Sequence, residues 1–137
     1  MAGKGNPIAS PGASKNCLLK AIPDVEIDTG KLKYILVKVH DPSPEKSREY
    51  KHIVRGSSKA TYHADIYETL EDKILAEGLD CECLGGGRIE HDASSKKIKI
   101  SGYSQAYGKA DHSVTYLMLM RKYGSNYDIS ISKDDKY

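Results

Sequence analysis

Tryptophan and phenylalanine are both absent, so the aromatic side chains are 10 tyrosines. A tyrosine-only set favours positions where one end of the ring stays wet. Long apolar runs are also missing: none approaches the roughly 20 residues a membrane-spanning helix needs, so a helical membrane protein is excluded. An excess of one charge is missing too. Basic residues number 21 and acidic residues 19, for a net charge of +2, too balanced for the basic stripe of a nucleic-acid-binding surface. Cysteine is sparse and odd in number: Cys17, Cys81 and Cys83. That excludes a disulfide-stapled secreted domain, and no further Cys or His pair supplies zinc-finger spacing. Cys81 and Cys83 read instead as buried or half-buried thiols sharing one face of a strand. Their spacings to Arg88 do not match that of the cysteine-dependent phosphatases, and no P-loop pattern occurs.

What remains is a chain of 137 residues with 39% hydrophobic and 29% charged residues. One globular domain accommodates that length, and the composition is not that of a disordered chain. Residues Met1 to Ala21 are rich in Gly, Ala, Ser, Asn and Pro and carry Lys4, Lys15 and Lys20 without an acid. They lack the apolar centre of a signal peptide, the arginines of a transit peptide and, with Ala2, the myristoylation pattern. They are expected to form a loose extension without packing duty, ahead of a domain over 22–132 and a polar tail over 133–137. The expected compartment is the cytoplasm.

The pattern predicts an α+β domain, with a mixed sheet of about six strands flanked by two helices. Lys33–His40 is rich in β-branched residues and bounded by Gly30 and Pro42, which predicts a central strand. Tyr50–Arg55 predicts a second. Tyr62, Ile66, Leu70 and Ile74 recur every four residues and predict a helix over Thr61–Glu77, capped by Ser58 or Thr61 and closed by Gly78. Leu79–Leu84 predicts a third strand, broken by Gly85-Gly86-Gly87, and Arg88–His91 with Lys96–Ser101 predicts a hairpin. A loop over Gly102–Gly108, a second helix over Lys109–Tyr123 and a strand over Tyr127–Ser132 complete the chain. Ala110, Val114, Leu117, Met118 and Arg121 form the expected inner side of that second helix.

Four features can carry chemistry. His63 falls in the opening turn of the first predicted helix, beside the apolar stripe. Unpaired N–H groups there disfavour an added proton and attract anions. A neutral imidazole can take a proton or attack an electrophile. Gly85-Gly86-Gly87-Arg88 allows close backbone approach to a ligand and adds a forked cation suited to phosphate. Gly102-Tyr103-Ser104-Gln105-Ala106-Tyr107-Gly108 can form an anion-binding nest of amides. Lys33 and Arg55 stand at strand ends, where sheets present ligands. Each also has a plain structural reading as a surface histidine, a turn or an exposed ion pair. His40-Asp41 and His91-Asp92 give only a faint echo of metal phosphohydrolases.

Taken together, Tyr62-His63-Ala64-Asp65-Ile66-Tyr67, Asp80-Cys81-Glu82-Cys83-Leu84-Gly85-Gly86-Gly87-Arg88-Ile89 and the 102–108 segment resemble the protein phosphohistidine phosphatase family (Janus/Ocnus). Ile22-Pro23-Asp24-Val25, Lys33-Tyr34 and Ile53-Val54-Arg55-Gly56 add to the match, which runs in order from about Ile22 to Tyr123 with one length change around Asp41–Ser47. The resemblance implies a small mixed sheet with a helix on each side and metal-independent removal of phosphate from phosphohistidine in proteins, without a cofactor. By that resemblance the catalytic histidine is His63, as general base or nucleophile. The substrate-binding lysine is Lys33, the phosphate-holding loop is Ser104, Gln105 and Ala106, and Arg55 and Arg88 support it. Phosphohistidine-containing proteins are the implied partners, with no nucleic acid and no membrane, and the chain is expected to be a monomer. Ser57 stands where relatives often carry an aromatic. A phosphopeptide-binding or scaffold module that kept the anion seat without catalysis is the alternative.

Overall fold

A computed structural model describes residues 17–43 and 49–133. The elements run α1 Cys17–Ala21, β1 Val25–Glu26, β2 Gly30–His40, β3 Tyr50–Ser57, α2 His63–Ala76, β4 Asp80–Asp92, β5 Lys97–Ser101, α3 His112–Tyr123 and β6 Asp128–Ile131. The strands form one mixed sheet in the order β1-β3-β2-β4-β5-β6, parallel at its two outer pairs and antiparallel between. The single α+β domain expected from the pattern is what forms.

β2 is the spine because both of its faces are apolar. Leu32, Tyr34 and Leu36 point to one side and pack with Val54, Ile89, Ile98, Ile100, Leu119 and Ile129 under α3. Ile35, Val37 and Val39 point to the other and pack with Ile53, Leu70, Ile74 and Leu79 under α2. Period-two alternation thus feeds two cores from one strand. α1 is an element absent from the expectation. Its Leu19 is fully buried in the α2-side core, so the end of the segment expected to be loose does carry packing. The rest of the extension, most of the 41–48 loop and the end of the polar tail lie outside the described residues.

β2 begins at Gly30, three residues before the expected start, so Lys33 lies inside the strand and not at its end, and two further boundaries differ for a physical reason. The triple glycine does not break a strand: β4 runs through it, continuously paired with β2. The register shifts between Leu36 and Val37, so that Leu36 faces Gly85 while Val37 faces Cys83 and Leu84 is the extra residue of a β-bulge. A one-residue insertion exchanges the faces of everything beyond it. Cys81 and Cys83 therefore join the α2 side, whereas beyond the bulge it is Gly86 and Arg88 that do. Gly85 makes the bulge possible with φ +154°, and a Cβ there would stand 2.7 Å from the Ala110 nitrogen. The inner side of α3 also differs. His112, Thr115 and Leu119 are buried, and Leu117 is exposed. The helix begins three residues later than the pattern suggests, because the Asp111 carboxylate accepts the Ser113 N–H at 3.1 Å and so sets the start. Gly124, its N–H on the Met120 carbonyl, ends the helix as expected.

Candidate active site

α2 starts at His63 because Tyr62 is its N-cap and the Asp65 carboxylate reaches back to the Tyr62 N–H at 2.9 Å. Neither Ser58 nor Thr61 caps it. The inner stripe begins at His63, with Leu70 and Ile74 following, while Tyr62 is 62% exposed. His63 is therefore on the buried face and not beside it. Only 3% of it is exposed, and its ring lies over Gly86: a Cβ built on that glycine would stand 2.8 Å from His63 Cδ2 and 3.1 Å from Ser104 Cβ. The glycine is there to let an imidazole and the 102–108 loop close over the middle of the sheet. It makes room for the protein's own side chains, where the sequence suggested room for a ligand.

The ring has a defined orientation. His63 Nε2 is 2.9 Å from the Gly87 carbonyl oxygen. A carbonyl only accepts, so Nε2 carries the proton and, in the neutral ring, Nδ1 carries the lone pair. Burial holds the imidazole below the usual histidine pKa. The Gly87 hydrogen bond partly opposes that shift, and the charges of Lys33 and Arg88 add to it. Those two cations are directly paired across β2 and β4 and share a face with His63 because of the bulge at Leu84. Without that extra residue Arg88 would point to the α3 side.

The loop is held from beneath. Gly86 N–H donates to the Gly108 carbonyl and Ala110 N–H to the Gly86 carbonyl, each at 3.0 Å, while Ser104 and Gly108 exchange backbone bonds of 3.0 and 2.8 Å. Ser104 is 1% exposed, and its Oγ accepts the Tyr107 N–H at 3.1 Å. The hydroxyl thus serves the turn itself. Gln105 and Ala106 form the exposed tip, and their amides take no protein acceptor among the described residues.

Arg55 is placed apart. Its guanidinium lies 3.2 Å from Glu26 and donates to the Pro23 and Val54 carbonyls at 2.8 and 2.9 Å. It ties β3 to the β1 segment beside a hollow of about 920 Å³ that includes neither His63, Lys33 nor the 104–106 turn. The thiols are not poised for attack. Cys83 donates to the Gly85 carbonyl and is pushed up to about 11 by burial, and burial raises Cys81 as well. Among the described residues no three His, Cys, Asp or Glu side chains gather in a way that could hold a metal ion.

A neutral, buried and oriented imidazole beside two cations and a tip of exposed amides is an arrangement for chemistry on a dianion. The chain belongs to the Janus/Ocnus family, whose model matches residues 19–127. It is 45% identical over 119 residues to the 14 kDa phosphohistidine phosphatase of Sus scrofa, covering 85% of this chain and 94% of that one. The identity and both coverages are the same for the Homo sapiens protein of that name. The sex-regulated protein janus-A of Drosophila pseudoobscura pseudoobscura is 46% identical over 118 residues, covering 85% of this chain and 78% of the relative.

Proposed function

We propose that this protein is a phosphohistidine phosphatase that hydrolyses the P–N bond of phosphohistidine in proteins without a metal ion. The observation that carries the reading is the His63 imidazole, fixed by its Nε2–H on Gly87 and kept uncharged by burial beside Lys33 and Arg88. Lys33, Arg88 and the Gln105 and Ala106 amides hold the phosphoryl oxygens, and preorganised donors of this kind act where charge shifts during transfer. Ser104 keeps the amide turn in shape, and Arg55 ties the β1 segment to β3 at the sheet edge, apart from the phosphate seat. His63 Nδ1 takes the proton of an attacking water, or attacks phosphorus itself. In the base route the proton taken from water passes on to the departing imidazole nitrogen as the P–N bond breaks. In the nucleophilic route the phosphoryl group moves to His63 Nδ1, the departing nitrogen takes a proton from water, and a second water then cleaves the new P–N bond to release phosphate and restore the ring. A binding module needs the cations and amides but has no use for an uncharged, oriented imidazole beside those cations. A monomeric chain and the cytoplasm as its compartment remain separate expectations of this proposal. No helix among the described residues is long and apolar enough to cross a membrane.

The test is phosphate release from a phosphohistidine peptide and a phosphoserine peptide, with and without chelator. Release from the first alone, indifferent to chelator, is expected. No release, or release abolished by chelator, contradicts the proposal. An alkaline quench that traps phosphate on His63 selects the nucleophilic route; its absence during turnover selects the base.

Two further outcomes follow from the same geometry. Protonation below the His63 pKa removes the base, so kcat/KM falls on the acid side. Because burial, Lys33 and Arg88 lower that pKa, the fall is centred below about 6.5, the ordinary histidine value. A pH–rate profile with its acid midpoint at or above that value contradicts the assignment. Lys33→Ala removes a charge-assisted contact worth about 1.5–3 kcal/mol. It is expected to raise KM roughly tenfold to a hundredfold with a smaller change in kcat, read from initial rates.

A further inference from the structure

Behind Gly87, on the α3 side of the sheet, lies a buried polar chain that the reaction does not touch. Tyr34 and Thr115 are fully buried and His112 is 5% exposed. Tyr34 Oη lies 2.5 Å from His112 Nδ1 and 3.0 Å from Thr115 Oγ1, and His112 Nε2 lies 2.9 Å from the Gly102 carbonyl oxygen. Because that carbonyl can only accept, Nε2 carries a proton, and in the neutral ring the protons then have one direction. His112 Nε2–H donates to Gly102, the Tyr34 hydroxyl donates to Nδ1, and the Thr115 hydroxyl donates to Tyr34. A core needs no such chain for packing, and a buried polar network fixes geometry only when each member is satisfied.

This chain meets the site at two places. Gly102, at its end, is the residue from which the 103–108 loop springs. The same two rings also press on Gly87: a Cβ there would stand 2.7 Å from His112 Cε1 and 2.9 Å from Tyr34 Cε2. Gly87 is the residue whose carbonyl takes the His63 Nε2–H. We infer that Thr115, Tyr34 and His112 are positioning residues that hold the His63 acceptor and the root of the phosphate loop in one fixed relation. The effect on rate rests on the phosphatase reading above, whereas the effect on geometry does not.

The experiment uses the full chain carrying Tyr34→Phe, Thr115→Val or Thr115→Ser, with wild type as reference. Each is read by nitrogen-15 NMR of the imidazoles, by titration of inorganic phosphate and by turnover of a phosphohistidine peptide. In Tyr34→Phe the His112 Nδ1 signal shifts as it loses its donor while Nε2 keeps its proton on Gly102, the Gln105 and Ala106 amide signals move, and phosphate binds several-fold more weakly. The His63 titration midpoint moves up towards the ordinary value as its seat loosens. The value of kcat/KM drops about tenfold or more, since small misplacement of a reacting group is costly. Thr115→Val moves the same readings in the same direction and Thr115→Ser restores them; this pair decides the matter where Tyr34→Phe does not fold. A lower melting temperature with unchanged His63 titration, loop amides and phosphate affinity overturns the inference. Wild type that releases no phosphate overturns the functional reading instead, and leaves the NMR readings to judge the positioning.

Discussion

His63→Ala is expected to reduce phosphate release from a phosphohistidine peptide by at least about 10²-fold and up to about 10⁴-fold, the range that acid–base help from one side chain supplies. If the imidazole is itself the nucleophile, the loss is complete. The fold is expected to survive. Alanine is the best helix former for the first turn of α2. The main cost is the Gly87 carbonyl left without its donor, about 1–3 kcal/mol against the roughly 5–15 kcal/mol of a typical domain. His63→Gln separates the two roles of the ring. Its amide nitrogen reaches about where Nε2 stands and keeps a donor on Gly87, but it offers no base in place of Nδ1. It should therefore be as inactive as His63→Ala and closer to wild type in urea unfolding. Undiminished turnover by either variant removes His63 from the mechanism.

The two sides of the site were unequally legible in the sequence. The apolar alternation of β2 and the four-residue recurrence in α2 are local patterns, and they placed Lys33 and His63 on the correct elements. The glycine run misled because a strand-breaking tendency is a local property, while the reason for Gly86 and Gly87 is what packs against them from His63, Ser104, Tyr34 and His112. Composition does not reveal such neighbours. Nor does it reveal the bulge at Leu84, which appears only when β4 is aligned against β2 and which decides the face Arg88 occupies. His112 showed no ligand spacing and gave no signal, since its partners Tyr34 and Gly102 are distant or non-specific in sequence. Arg55 looked like a ligand at a strand end, and its partners at Glu26 and Pro23 depend on the parallel pairing of β1 with β3. Leu19 lay in a segment whose composition argued for looseness, and one buried leucine does not change a composition.

Gly86→Ala tests the idea that the glycine run serves the site through space. The added methyl would stand 2.6 Å from the Tyr34 carbonyl oxygen, 2.8 Å from His63 Cδ2 and 3.1 Å from Ser104 Cβ. Tyr34 belongs to β2, which is paired on both sides by β3 and β4, so its backbone has little freedom to retreat. Relief has to come from β4 shifting at Gly86 away from that oxygen, and the imidazole and the loop that lie against Gly86 shift with it. Overpacking of this kind costs about 1–3 kcal/mol of stability, and a displacement of the base by about 1 Å is worth roughly 10² in rate. The expected variant is folded, less stable and at least about a hundredfold slower, with its His63 Nε2–H no longer held on Gly87 by NMR. Gly78→Ala is the matched control. That glycine closes α2 at φ +83° with no atom within 4 Å of an added Cβ, so the substitution strains the backbone, about 1 kcal/mol or more, and leaves kcat/KM alone. A Gly86→Ala protein as active as Gly78→Ala means that the rate does not depend on where the glycine lets His63 sit, and the geometry assigned to the base is then wrong.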